Sequence, residues 1–261
     1  MKIYILADME GISGIRKIEQ VKTDSGAEYA EGRRMMVADV NACIDALFEA
    51  GATEVVACDT HGGGGQFYLE QMDPRAVYET PGGGKMMPAL DGSFDGLILF
   101  GHHARAGTVN GFLDHTMSSA SWFGYWINDV EVGEIGIEAS YAGHFDVPVI
   151  MVSGDETTAK EARELLDLDL PCAVVKWGVG RNRARCLSLE QAHQVVRETV
   201  LDAVKEIGKR KAYKPTLPAT IQLTQYRSDM VDGIAARPEV ERVDARTVRK
   251  EIGSLLDVSR W

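Results

Sequence analysis

Short apolar runs recur along the first two thirds of the chain, and each is stopped by a polar or glycine-rich cluster. Lys2 to Ala7 (KIYILA), Glu54 to Cys58 (EVVAC), Gly96 to Phe100 (GLILF), Val147 to Ser153 (VPVIMVS) and Cys172 to Lys176 have strand length and read as buried strands. Between them the period lengthens. From about Ala27 to Ala50, Met36, Val40, Cys43 and Leu47 fall on one helical face, and Gly51 is placed to end that helix. Glu134 to Phe145, the segment from Asp155 to about Leu166, and Ser188 to about Ile207 also read as helices, the last with Ser188 and Gln191 in capping-box spacing. Strand, helix and strand joined by a short turn make the βαβ unit of a parallel sheet. The expected fold is α/β, a three-layer sandwich with a mostly parallel sheet.

Other stretches carry weaker patterns. Trp122 to Val132 reads as two β segments turning at Asn128-Asp129, Arg181 to Arg185 as a solvated basic cluster, and Thr220 to Thr224 as a strand after the basic, proline-containing linker Lys209 to Pro218. Arg227 to Trp261 has no period that orders it.

The totals narrow the function. Hydrophobic residues make up 45% and charged residues 26% of the 261 positions, as in ordinary globular proteins. With 28 basic against 39 acidic side chains, the net charge of −11 offers nucleic acid or an anionic membrane no general attraction. No run approaches the ~20 apolar residues of a membrane span, and no signal-peptide pattern opens the chain, so the expected compartment is the cytosol. Cys43, Cys58, Cys172 and Cys186 form no C-x-x-C pair and read as reduced core thiols.

The chemistry lies where the strands stop. Lys2 to Ala7 delivers Asp8 and Glu10, which on extended backbone face the same side about 6.5–7 Å apart. Two carboxylates in one pocket repel unless a cation or a shared proton relieves them. The second strand ends on Asp59, Thr60 and His61 and runs into Gly62 to Gly65, a glycine run without P-loop spacing that reads as a flexible or close-approach loop. The third ends on His102 and His103, of which only one can face the pocket. Glu134 opens a helix, and His115 lies in a long loop.

If these strands are parallel neighbours, Asp8, Glu10, His61 and His103 meet at one sheet edge, where open α/β sheets bind ligands. Mixed nitrogen and oxygen donors suit zinc better than magnesium or calcium. Three carboxylates with two or more histidines suit two ions sharing Asp8, a site that holds a hydroxide and polarises a carbonyl or phosphoryl oxygen. Hydrolysis is the expected reaction, with His115 stabilising the oxyanion or protonating the leaving group. No G-x-S-x-G elbow competes, and His144 and His193 fall in helical patterns suited to surface or packing roles. The alternatives are a bimetal phosphoesterase, for which Arg105 is the one obvious phosphate clamp near the cluster, and a non-catalytic small-ligand binding protein.

ADMEGISG at Ala7 to Gly14, DTH at Asp59 to His61, GHHARAG at Gly101 to Gly107, DHTM at Asp114 to Met117 and INDVEVGEIGIEASYAGHFDVPVIMVSGD at Ile127 to Asp155 together resemble the DppA-like zinc D-aminopeptidases. The resemblance runs from residue 1 to about residue 190. It implies two zinc ions per subunit, one at Asp8, Glu10 and His61 and the other at Asp8, His103 and Glu134, with His115 as the catalytic histidine. It also implies release of an N-terminal D-amino acid from short peptides or amino-acid amides, and a homodecamer of two pentameric rings. The expected organisation is a catalytic, metal-binding α/β domain over residues 1–190 and a C-terminal α+β region over residues 191–261, packed on the same domain or apart from it.

Overall fold

Each buried run becomes a strand. The computed structural model describes residues 1–261, and in chain order its first strands are β1 (Lys2–Ala7), β2 (Glu54–Asp59), β3 (Val77–Glu79), β4 (Gly96–His102), β5 (Trp122–Ile127) and β6 (Val130–Glu131). They are followed by β7 (Val149–Asp155), β8 (Cys172–Gly180) and β9 (Arg183–Cys186). Seven of these form one sheet in the order β3-β2-β1-β4-β7-β8-β9, parallel throughout except at the β8–β9 hairpin. The basic stretch after Gly180 is thus an antiparallel edge strand, with Arg183 and Arg185 exposed.

Alternation along β1 sorts the layers. Ile3, Ile5 and Ala7 share a core with Met36, Val40, Cys43 and Leu47 of helix α1 (Ala27–Glu49). Tyr4 and Leu6 face the other way, into a second core that also holds Ile135 of α2 (Glu134–Gly143) and Ala162 of α3 (Glu156–Leu165). Helix α4 (Leu189–Lys205) joins the first core through Ala192, Val196 and Val200. Its Ser188 cap accepts from Gln191 N–H at 3.3 Å, and Asp155 caps α3 through Thr158 N–H at 2.8 Å. Gly51, after α1, has φ +91°.

After α4 the chain forms β10 (Ala219–Gln225), the short helix α5 (Asp232–Ala235), β11 (Glu241–Arg242) and β12 (Thr247–Ile252). These strands join β5 and β6 in an antiparallel sheet of order β11-β12-β10-β5-β6. Tyr125, Ile127, Ile221, Leu223 and Val248 of this sheet belong to the same core cluster as Tyr4 and Leu6. Residues beyond 190 therefore pack on both faces of the parallel sheet, α4 on one and β10 to β12 on the other. All four cysteines are free thiols. No helix is long and apolar enough to cross a membrane.

The topology prepares a site. From β1 the chain crosses to β2 on one side and later returns to β4 on the other. The carboxyl ends of β2, β1 and β4 are thus adjacent at the point where strand order reverses, where such sheets open a crevice.

Candidate metal centre

Asp8 and Glu10 follow β1 directly, and their side chains enter one cavity while Met9 between them is fully buried in the core. The turn is pressed against the end of β4. Asp8 N–H donates to Phe100 O at 2.8 Å and Gly11 N–H to Gly101 O at 2.7 Å. A Cβ on Gly11 would lie 2.1 Å from His102 O, so only glycine permits this crossing. Thr60 N–H donates to Ala7 O at 2.9 Å and brings His61 alongside from β2. Asp59 faces the other way and accepts the N–H groups of Gly65, Gln66 and Phe67, closing a loop whose Gly62 to Gly65 all have positive φ.

At the end of β4 the two histidines part. His103 Nε2 lies 3.4 Å from Asp8 Oδ2 and 3.2 Å from Glu134 Oε1, the first residue of α2. Its Nδ1 lies 3.0 Å from Ala104 O, and a proton donated to that carbonyl leaves the Nε2 lone pair facing the carboxylates. His102 points into the protein and meets Glu138 Oε2 at 2.5 Å. His61 Nε2 lies 3.3 Å from Glu10 Oε1. His115 stacks on His103 with ring centroids 3.9 Å apart and holds Nε2 3.6 Å from Glu134 Oε1. Its loop is fixed by Leu113 N–H to Arg181 O at 2.7 Å and Gly107 N–H to Asp114 Oδ2 at 2.7 Å. Asp8, Glu10, His61, His115 and Glu134 line one cavity of about 630 Å³, and His103 meets two of them at its wall.

The donor atoms are close yet not bonded. Asp8 Oδ2, Glu10 Oε2, His61 Nδ1 and His103 Nε2 are buried without a hydrogen-bond partner. Buried polar atoms are rarely left so, and each costs about 1–3 kcal/mol. The 3.2–3.4 Å separations match the edge of a tetrahedral zinc site, about 3.3 Å for bonds of ~2.0–2.1 Å. Donor atoms of Asp8, Glu10 and His103 fall within 4.8 Å of one another, as do those of His103, His115 and Glu134. The residues fit a cation-binding centre.

Electrostatics point the same way. Burial, then the Glu10 charge, pushes the Asp8 carboxyl up to about 8, so its ionisation calls for further positive charge. Burial also raises Glu10, but His61 more than offsets this and holds it well below the usual carboxylate range. Burial raises Glu134 and His103 reverses it, to about 2. Burial lowers His61 and Glu10 carries it back up to about 9. His115 moves down, by burial and then by the neighbouring His103, and is neutral at pH 7.

Three functional contacts lie outside the sequence reading. Glu138 lines the cavity one turn after Glu134, a spacing of four that places both on one face of α2. Lys176 of β8 is fully buried, and its ammonium donates to the carbonyls of Glu10 at 2.8 Å, Ile12 at 2.5 Å and Ile15 at 2.7 Å. Asp39 of α1 accepts Ser13 N–H at 2.7 Å. Glu138 was legible from spacing, whereas the other two are contacts between residues far apart in sequence. Arg105 turns from the cavity toward Glu131 at 3.4 Å and Glu161 at 4.0 Å, so it is no phosphate clamp there.

A sequence profile described as D-aminopeptidase, peptidase family M55, matches residues 1–261. The chain belongs to the D-aminopeptidase family. Family membership makes it a metallopeptidase and displaces the phosphoesterase alternative. A D-aminopeptidase of Bacillus subtilis (strain 168) is 38% identical over 221 residues, 82% of this chain and 78% of that protein. The solved structure of the zinc-dependent D-aminopeptidase DppA from Bacillus subtilis, described as a self-compartmentalizing protease, superposes with a TM-score of 0.93. It is 33% identical and covers 99% of this chain and 94% of its own. The expected family and α/β fold are borne out.

Proposed function

We propose that the protein is a zinc-dependent aminopeptidase that removes an N-terminal D-amino acid from short peptides and amino-acid amides. The observation that carries this reading is a cluster of buried carboxylates and imidazoles in a D-aminopeptidase-family chain, with unpartnered polar atoms on Asp8, Glu10, His61 and His103 and nitrogen–oxygen separations of 3.2–3.4 Å between its members. Asp8, Glu10 and His61 would hold one ion and Asp8, His103 and Glu134 the other. Zinc held there would supply a water of lowered pKa and polarise the scissile carbonyl.

The chain's own groups complete the reaction. His115 Nδ1 donates to Leu113 O at 2.8 Å, which fixes the ring and leaves a lone pair on Nε2 beside Glu134. That nitrogen takes up the proton released as water adds to the carbonyl and delivers it to the departing amine. Met117 N–H donates to Glu134 Oε1 at 2.7 Å and holds the carboxylate in place. Gly62, Gly63, Ser118, Ser119 and Ala120 line the cavity and suit a small side chain such as that of D-alanine.

The similarity to a self-compartmentalizing protease supports a homo-oligomer, which we assign as a cytoplasmic decamer of two pentameric rings. Metal analysis coupled to hydrolysis of paired D- and L-aminoacyl amides tests the reading. Turnover of D-alaninamide that rises with zinc loading and exceeds that of L-alaninamide is expected. Inactivity of the zinc-loaded protein on both amides would overturn it.

A further inference from the structure

The mouth of the cavity carries charge opposite to that of its floor. Asp8, Glu10 and Glu138 are buried at the inner end with Glu134 beside them, whereas Lys22, Lys85 and Arg181 line the same cavity from exposed positions. Lys2, Lys17, Lys160, Lys205, Lys209 and Lys214 each pair with a carboxylate. Lys22, Lys85, Lys211 and Lys250 pair with none, and of these four only Lys22 and Lys85 line the cavity. Arg181 is partnered by Asp114 at 3.5 Å, which leaves the two lysines as the free charges at the mouth.

Lys85 is also held in place. Its N–H donates to Gly82 O at 3.0 Å and its carbonyl accepts Gly82 N–H at 3.1 Å, closing a tight turn through Gly83 and Gly84 at positive φ. Arg260 donates to Gly84 O at 2.6 Å while bound to Asp257 at 2.8 Å, so the turn is clamped from the far end of the chain. Ser259 beside that clamp lines the cavity too. A long, flexible ammonium on a fixed turn suits an anionic group of the substrate.

We propose that Lys22, Lys85 and Arg181 form a subsite for the free carboxylate of the substrate. It rests on the aminopeptidase reading and makes peptides of two or three residues with a free carboxylate preferred over their amides. Such a peptide places its amino end at the carboxylate-rich floor and its carboxylate at the cationic mouth. A cavity of about 630 Å³ is of a size to enclose one. Charge then does two things: it orients the peptide N-terminus inward, and it disfavours chains whose carboxyl end lies outside the cavity.

The test is steady-state kinetics of the zinc-loaded protein on D-alanyl-D-alanine and its C-terminal amide, for wild type, Lys22→Met, Lys85→Met and Lys85→Arg. Loss of one charge-assisted contact is worth about a tenfold effect. Wild type is expected to favour the acid about tenfold in kcat/KM. Lys85→Met should lower the acid-to-amide ratio about tenfold, chiefly through KM for the acid, and Lys85→Arg should restore it. A wild-type ratio near one, or a ratio unmoved by both methionine variants, overturns the subsite. If wild type cleaves neither compound, the aminopeptidase reading fails separately, and calorimetric titration with acid and amide decides the subsite. Tighter binding of the acid, weakened by Lys85→Met, supports it, and equal or absent binding of the acid overturns it.

Discussion

Lys176 and Asp8 are buried charges on the same turn, and the fold treats them in opposite ways. The Lys176 ammonium meets the carbonyls of Glu10, Ile12 and Ile15, and burial lowers its pKa only to about 8, so it stays charged at neutral pH. Asp8 leaves Oδ2 without a partner, with Glu10 and Glu134 adding negative charge and burial pushing its pKa up to about 8. Both are costly to bury. One is satisfied by backbone already in place, and the other has donors arranged around a position that suits a cation. The difference separates a charge that holds the turn from a charge left open to a cation.

The largest effect that sharpens this contrast falls on His115. His115→Ala should lower kcat for D-alaninamide about 10²- to 10⁴-fold while zinc content stays at the wild-type level, measured on the same preparation. A parallel loss of zinc would move His115 from the reaction into the ligand set. Next in size is Lys176→Met, which leaves three carbonyls without their donor and should cost about 3 kcal/mol in urea unfolding. An unchanged midpoint would mean that the turn needs no such tie.

The smallest effect concerns a third buried charge, Asp39, satisfied partly by a group that titrates. His193 Nε2 lies 2.8 Å from Asp39 Oδ1, and that hydrogen bond raises the His193 pKa above 6.5. A histidine with a raised folded pKa contributes stability that is fully present below the unfolded value of 6.5 and is lost as pH rises through the folded one. Wild type should therefore lose its advantage over His193→Gln as urea midpoints are followed from about pH 6 upward. A constant difference across that range would show that the imidazole charge is not what Asp39 uses.

Legibility in the sequence follows the same division. The parallel strands β1, β2, β4 and β7 were readable because they are buried, so their apolar runs stand out, and the polar residues that stop them are those brought together at the sheet edge, whereas the short, part-exposed β3 gave no such run. Asp8, Glu10, His61 and His103 needed only the assumption of neighbouring parallel strands. The antiparallel sheet was not readable beyond β10. β11 has two residues, β12 (TVRKEI) carries charge on its outer side, and both join the sheet only through β10, which is itself placed by pairing with the distant β5. Lys176 was unreadable for the same reason: within β8 it looks like the end of an apolar run, and its partners are more than 160 residues earlier.

The central claim is that Asp8 is shared between two metal positions while Glu10 serves one. Zinc per subunit, measured by elemental analysis after dialysis, tests it most directly on wild type, Glu10→Ala and Asp8→Ala, with circular dichroism to verify folding. The account predicts two ions in wild type, about one in Glu10→Ala and none retained in Asp8→Ala. Equal zinc loss in the two folded variants, or a single ion in wild type, would contradict it.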